Sequence, residues 1–112
     1  MKKVVITGSN GLLGQTLVNL LLKDKNSYEV IGFSRGANRS GRDDFEYVSI
    51  DITNKTLLLK ELAKCNPDII VNTAAMTNVD ACEDNKLACS LLNIDVVKYL
   101  KEYSEVNKTH LV

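Results

Sequence analysis

The stretch TGSNGLLG, residues 7–14, sets glycines at positions 8, 11 and 14 between an apolar β-branched run and a leucine-rich one. Glycine tolerates positive φ and carries no Cβ. Gly8 therefore suits a sharp turn from strand to helix, and Gly11 lets a ligand come close to the backbone. Gly14 lets the new helix lie tight against the strand. Ser9, Asn10, Leu12 and Leu13, the residues between the glycines, bring amide N–H groups to the start of that helix. There the helix dipole and the free amides favour a phosphate by ~1 kcal/mol or more. The chemistry this spacing serves is a grip on a diphosphate, and a strand-to-helix turn with no ligand is the plain alternative.

A second group of residues bears on which diphosphate. Twenty positions after Gly14 the next apolar run ends at Ser34, and Arg35 follows. A carboxylate at that place would accept hydrogen bonds from the adenosine ribose of NAD. A hydroxyl beside a guanidinium suits a 2′-phosphate instead, a charge-assisted bond worth roughly 1.5–3 kcal/mol. The expected cofactor is NADP, with NAD the alternative. Arg39 and Arg42 lie in the same loop and would add positive potential, although polar loops commonly carry surface arginines. Asn72 and Asn93 are polar residues in apolar surroundings, where pairing with backbone is the commoner use; Asn93 is kept as a supporter of the site. Asp80, Glu83 and Asp84 read as a solvated helix start rather than a cation site.

Such a turn has to be held by a strand before it and a helix after it. KVVIT (Lys3 to Thr7) is a run of the kind buried on both faces of a parallel sheet. From Leu12 to about Lys23, Leu13, Leu17, Leu20 and Leu21 recur at helical spacing. YEVIGFS (Tyr28 to Ser34) predicts a second strand, Arg35 to Asp44 a polar loop, and FEYVSI (Phe45 to Ile50) a third strand. Thr53 or Asn54 caps a helix carrying Leu58, Leu62 and Cys65 on one face, and Asn66-Pro67 ends it. DIIVNTA (Asp68 to Ala74) predicts the fourth strand. A loop containing TNVDACED leads to a long helix with Ala88, Leu92, Val96, Tyr99, Leu100 and Tyr103 along one stripe, and THLV (Thr109 to Val112) opens a fifth strand. Strands alternating with helices predict βαβ units with right-handed crossovers. The fold class expected is α/β, a Rossmann-type doubly wound parallel sheet that reaches the start of its fifth strand at residue 112. The chain is therefore expected to be the N-terminal portion of a longer polypeptide.

Bulk properties narrow the partners. The 112 residues suffice for one domain with a modest core. Fourteen basic residues balance fourteen acidic ones, so no overall field draws the chain to nucleic acid or anionic membrane. Cys65, Cys82 and Cys89 form no CxxC pair, and a lone His110 builds no histidine metal site. Free thiols and the short apolar run at the start, ended by Gly8, read as a cytoplasmic protein with no metal.

TGSNGLLG resembles the TGxxGxxG of the extended short-chain dehydrogenase/reductase superfamily. NPDIIVNTAAMTNVDACED, residues 66–84, with LLN at 91–93, is similar to the dTDP-4-dehydrorhamnose reductases and their sugar-nucleotide-binding relatives. The resemblance covers essentially the whole chain. It implies that Asp51 and Ile52 flank the adenine, and that Ala74, Ala75, Met76 and Thr77 form a loop passing under the cofactor. Asp51 would also serve as a plain helix cap, and Met76 departs from the aromatic or histidine often found at its position.

The resemblance further implies hydride transfer from NADPH to a 4-keto-6-deoxy sugar nucleotide, with a tyrosine as proton donor and a lysine four residues on. This chain has no such pair: four residues beyond Tyr28, Tyr47, Tyr99 and Tyr103 stand Gly32, Asp51, Tyr103 and Asn107. The catalytic pair and the substrate-binding part are expected past Val112, with a small nucleotide sugar as partner and a homodimer left open. The alternatives are a non-catalytic NADP-binding subunit like the β subunit of methionine adenosyltransferase, and a sugar-nucleotide epimerase or dehydratase. Ser34-Arg35 disfavours the latter, which would hold NAD.

Overall fold

The β-branched runs form strands, as the pattern predicts. The computed structural model describes residues 2–24, 26–74 and 94–112. In chain order these form β1 (Lys2–Thr7), α1 (Leu12–Leu22), β2 (Tyr28–Ser34), β3 (Glu46–Ser49), α2 (Lys55–Cys65), β4 (Ile69–Asn72), α3 (Val96–Asn107) and β5 (His110–Leu111). All strand pairs are parallel, in the order β3-β2-β1-β4-β5. This is the Rossmann-type sheet. The chain winds outward from β1 to β3, then returns to lay β4 on the other side of β1.

Alternation along each strand divides the core between the two faces. Val5, Ile31, Phe33 and Ile70 meet Leu58 and Leu62 of α2 and Val96, Leu100 and Tyr103 of α3. Val4, Ile6 and Val30 meet Val18 and Leu22 of α1. A fully buried aliphatic or aromatic side chain of this kind is worth about 1.5–3 kcal/mol.

The face of α1 differs from the predicted one. The residues turned inward are Gly14, Val18 and Leu22, while Leu17 and Leu21 pack along the margin. Leu13 is 62% exposed and Leu20 54%. The rotation follows from Gly14: its backbone sits against Gly8 and Ser9, so the buried stripe runs at four-residue steps from the glycine. In α3, Val96, Leu100 and Tyr103 are buried and Tyr99 packs beside them, as predicted; Ala88 and Leu92 lie outside the described residues.

The ends of α2 are resolved by chemistry. Asn54, not Thr53, is the cap: its side-chain oxygen accepts from the Leu57 N–H at 3.2 Å. Asn66 closes the helix in the left-handed region, φ 47°, just ahead of Pro67. Strand pairing places Thr7 level with Phe33 of β2 and Asn72 of β4, and Ser34 level with Ser49 of β3. Four carboxyl ends therefore open on one edge, at the point where strand order reverses.

Among the described residues, no helix is long and apolar enough to cross a membrane, and no group of three metal-ligating side chains forms.

Candidate functional site

At the edge where the strands end, the first turn meets the residues that follow β4. Gly8 has φ +78°, and a Cβ there would lie 2.7 Å from Ala74 N and 2.9 Å from Thr73 C. Both properties demand glycine. Thr73 leaves the sheet and bends over the turn: its N–H donates to Thr7 O at 3.0 Å, and its hydroxyl donates to the same oxygen at 2.7 Å. Asn72 holds this corner, its side-chain oxygen accepting from the Thr7 hydroxyl at 2.6 Å and from Ala74 N–H at 3.2 Å. Its polarity is thus used internally.

Gly8 and Ser9 N–H groups both reach Phe33 O, at 2.7 and 3.4 Å, which anchors the turn to β2. The Ser9 hydroxyl is buried beside Gly32, away from the crevice. Helix α1 then begins with Gly11 as its cap, a residue with no side chain to satisfy the amides of the first turn. No acidic residue occupies that turn. Leu12 is 87% exposed at the same helix start. The arrangement presents free N–H groups and the positive end of a dipole to the edge of the sheet.

A cavity of about 220 Å³ opens there, lined by Gly8, Gly11, Phe33, Ser34, Arg35, Ile50, Ile52, Thr73 and Ala74. Of the predicted contacts, Gly8, Gly11, Ser34, Arg35, Ile52 and Ala74 are therefore together. Gly14 lies beneath the turn as packing, and Asp51 lines an adjoining depression with Arg35, Ile50 and Leu57. Ala75, Met76, Thr77 and Asn93 lie outside the described residues. Sequence reasoning passed over Phe33, Ile50 and Thr73. All three stand at or next to strand ends, and that position is the signal that would have found them.

Electrostatics separates the three arginines of the loop after β2. Arg35 is exposed at the cavity rim, close enough to Asp51 to help hold its carboxyl down. Arg42 is engaged elsewhere: its guanidinium makes a two-point contact with Asp44, at 2.6 and 2.9 Å, and donates to Asn19 at 3.2 Å. The expectation that Arg42 adds to the potential at the cavity is thus corrected, because its charge is matched within its own loop. Arg39 is tied through its backbone N–H to the Asn10 side chain at 2.8 Å.

The Asp51 carboxylate accepts from the Thr53 hydroxyl at 2.6 Å and from Thr53 N–H at 3.1 Å. These bonds, the hydroxyl first, hold its pKa below the ordinary aspartate value against a smaller effect of burial. A depressed folded-state pKa contributes stability that is present above the unfolded value and lost as pH falls through the folded one. Thr53→Val should raise the Asp51 midpoint toward that of a free aspartate, read as its carboxyl NMR shift against pH. An unchanged midpoint would refute the hydroxyl as its main cause.

Two tyrosine hydroxyls are also committed. Tyr47 donates to Gly36 O at 2.7 Å, and Tyr103 to Leu62 O at 3.2 Å within the core. Burial pushes the Tyr103 hydroxyl and the Cys65 thiol up from their usual pKa values.

The chain is similar to known proteins throughout its length. The family described as RmlD substrate binding domain matches residues 1–112. A dTDP-4-dehydrorhamnose reductase of Aggregatibacter actinomycetemcomitans is 32% identical over 102 residues, 91% of this chain and 30% of the relative. A probable dTDP-4,6-dihydroxy-2-methyloxan-3-one 4-ketoreductase of Streptomyces antibioticus is 29% identical over 106 residues, 95% of this chain and 31% of the relative. The chain thus spans about 30% of the length of these curated relatives. Among solved structures, a hypothetical dTDP-4-dehydrorhamnose reductase from Sulfolobus tokodaii superposes with TM-score 0.80 at 30% identity, over 97% of this chain and 37% of that one. The Thermus thermophilus UDP-glucose 4-epimerase in complex with NAD shares the fold, with TM-score 0.85 at 18% identity over 97% of this chain and 36% of that one. Turn, sheet order and sequence agree with these matches, and the chain belongs to the RmlD substrate-binding-domain family.

Proposed function

We propose that this chain is the NADP-binding part of a sugar-nucleotide oxidoreductase of the dTDP-4-dehydrorhamnose reductase kind. The observation that carries the reading is the glycine turn. Backbone fills the space a Cβ would need at Gly8 and Gly14, and the helix that follows starts without a side-chain cap at the mouth of a cavity. A diphosphate fits these donors. Ile50 and Ile52 offer an apolar wall for the adenine, and Ser34 with Arg35 offers a hydroxyl and a guanidinium for a ribose 2′-phosphate. When bound, the cofactor supplies hydride for a sugar carbonyl. The residues of this chain bind and orient it.

The relatives' names support a 4-keto sugar nucleotide as the partner of the whole protein, and the odd count of three cysteines supports a reducing compartment such as the cytoplasm. No Tyr-x-x-x-Lys pair occurs within residues 1–112. Titration of the protein with NADPH, followed by the cofactor's own fluorescence, should show saturable one-to-one binding, tighter than for NADH. Failure of both dinucleotides to bind would overturn the reading.

A further inference from the structure

The loop after β2 has no regular structure, and two of its glycines, Gly36 and Gly41, adopt φ +75° with open space around them. Within the loop Asn38 accepts from Ser40 and donates to Arg42 O, which leaves the path of residues 35–37 to be explained. The explanation is a side chain from the glycine turn. The Asn10 amide nitrogen donates toward Arg35 O at 3.0 Å, Ala37 O at 2.9 Å and the Tyr47 hydroxyl oxygen at 3.1 Å. Its amide oxygen accepts from Arg39 N–H at 2.8 Å. Tyr47, arriving from β3, donates a hydrogen bond from its own hydroxyl to Gly36 O at 2.7 Å.

The network is chemically consistent. Two amide hydrogens are shared among three acceptors, and the tyrosine oxygen accepts while its hydrogen is given away. Three successive carbonyls, those of residues 35, 36 and 37, and one amide are thereby fixed by two side chains. Asn10 is itself locked: its backbone oxygen accepts from the Gln15 side chain at 2.7 Å, and its N–H points to the Ser34 hydroxyl at 3.4 Å.

We infer that Asn10 and Tyr47 form a positioning pair that sets selectivity for a 2′-phosphorylated dinucleotide, by holding the backbone of residues 35–39 in the path that presents Arg35 to the cavity. Asn10 is then a brace between the turn that grips the diphosphate and the loop that reads the ribose, with its side chain turned to protein rather than to ligand. This inference rests on the dinucleotide reading above.

Adenosine 2′,5′-bisphosphate and AMP differ only in the 2′-phosphate, so their affinity ratio isolates the property at issue. In the whole protein, Tyr47→Phe keeps the ring and removes the hydroxyl, and Asn10→Ala removes the amide without placing a charge beside the phosphates. Each should weaken the bisphosphate about 3- to 10-fold, as expected for one or two lost hydrogen bonds, while AMP changes less than about twofold. Amide hydrogen exchange at residues 36–39 should accelerate in both ligand-free variants. Because Tyr47→Phe preserves packing, it decides the matter if an Asn10 variant fails to fold. Equal weakening of both ligands, or an unchanged ratio, overturns the positioning role while leaving the dinucleotide reading intact. Absence of binding by the unmodified protein overturns that reading itself.

Discussion

Replacing Gly14 with alanine should destabilise the protein, although the same change inside most helices stabilises them. Alanine gains ~1 kcal/mol over glycine in a helix interior from propensity alone. Here the new Cβ would stand 2.2 Å from Gly8 O and 2.8 Å from Ser9 Cα, both backbone atoms of a turn pinned to Phe33 and covered by Thr73. No rotamer change relieves that contact, so helix and turn must separate. Overpacking of this kind costs about 1–3 kcal/mol and sometimes more, which outweighs the propensity gain. A Tm lower by about 5–10 °C is expected on thermal unfolding. Gly11→Ala is the informative companion. Gly11 has φ −74°, and its added Cβ meets only Gly8 O, at 3.3 Å. That variant should unfold within a few degrees of the parent yet bind NADPH at least about tenfold more weakly, since the methyl enters the approach of the diphosphate. A Gly11→Ala protein with full affinity would mean that the ligand does not use this turn. A Gly14→Ala protein of undiminished Tm would mean that α1 is not seated as described.

Arg35→Asp should invert dinucleotide preference. The guanidinium of Arg35 stands at the cavity rim, whereas the charge of Arg42 is taken up by Asp44. Losing a charge-assisted bond to a 2′-phosphate removes roughly 1.5–3 kcal/mol, and the new carboxylate adds repulsion. NADPH affinity should fall about 100-fold, at about 1.4 kcal/mol for each factor of ten. NADH should change less than about threefold, because a carboxylate at this place accepts from the ribose hydroxyls. Calorimetric titration with both cofactors decides it, and equal losses would refute the assignment. An independent check needs no cofactor. Arg35 helps to lower the Asp51 pKa, so the aspartate should titrate at higher pH in the variant.

Much of this was legible in the residues because local rules carry it. The strand runs were found within a residue or two, since buried parallel strands must be β-branched and continuous. Asn66-Pro67 marked a helix end because asparagine accepts the left-handed conformation that proline then prevents from continuing. The positive φ of Gly8 followed from the need to turn at once from strand to helix. The face of α1 was misjudged for an equally definite reason. Counting leucines assumes that the largest apolar residues point inward, whereas the tight contact at Gly14 sets the rotation and leaves Leu13 and Leu20 to solvent.

Composition and spacing alone determined the class of sheet and the glycine turn, because each depends on residues adjacent in the chain. Only the tertiary structure decided that Ile50 and Thr73 share a wall with Gly8, that Arg42 is spent on Asp44, and that Asn10 braces a loop 25 to 29 residues away. Those facts depend on which strand lies beside which and on the angle at which side chains leave the sheet. Neither quantity is written in any single stretch of the sequence.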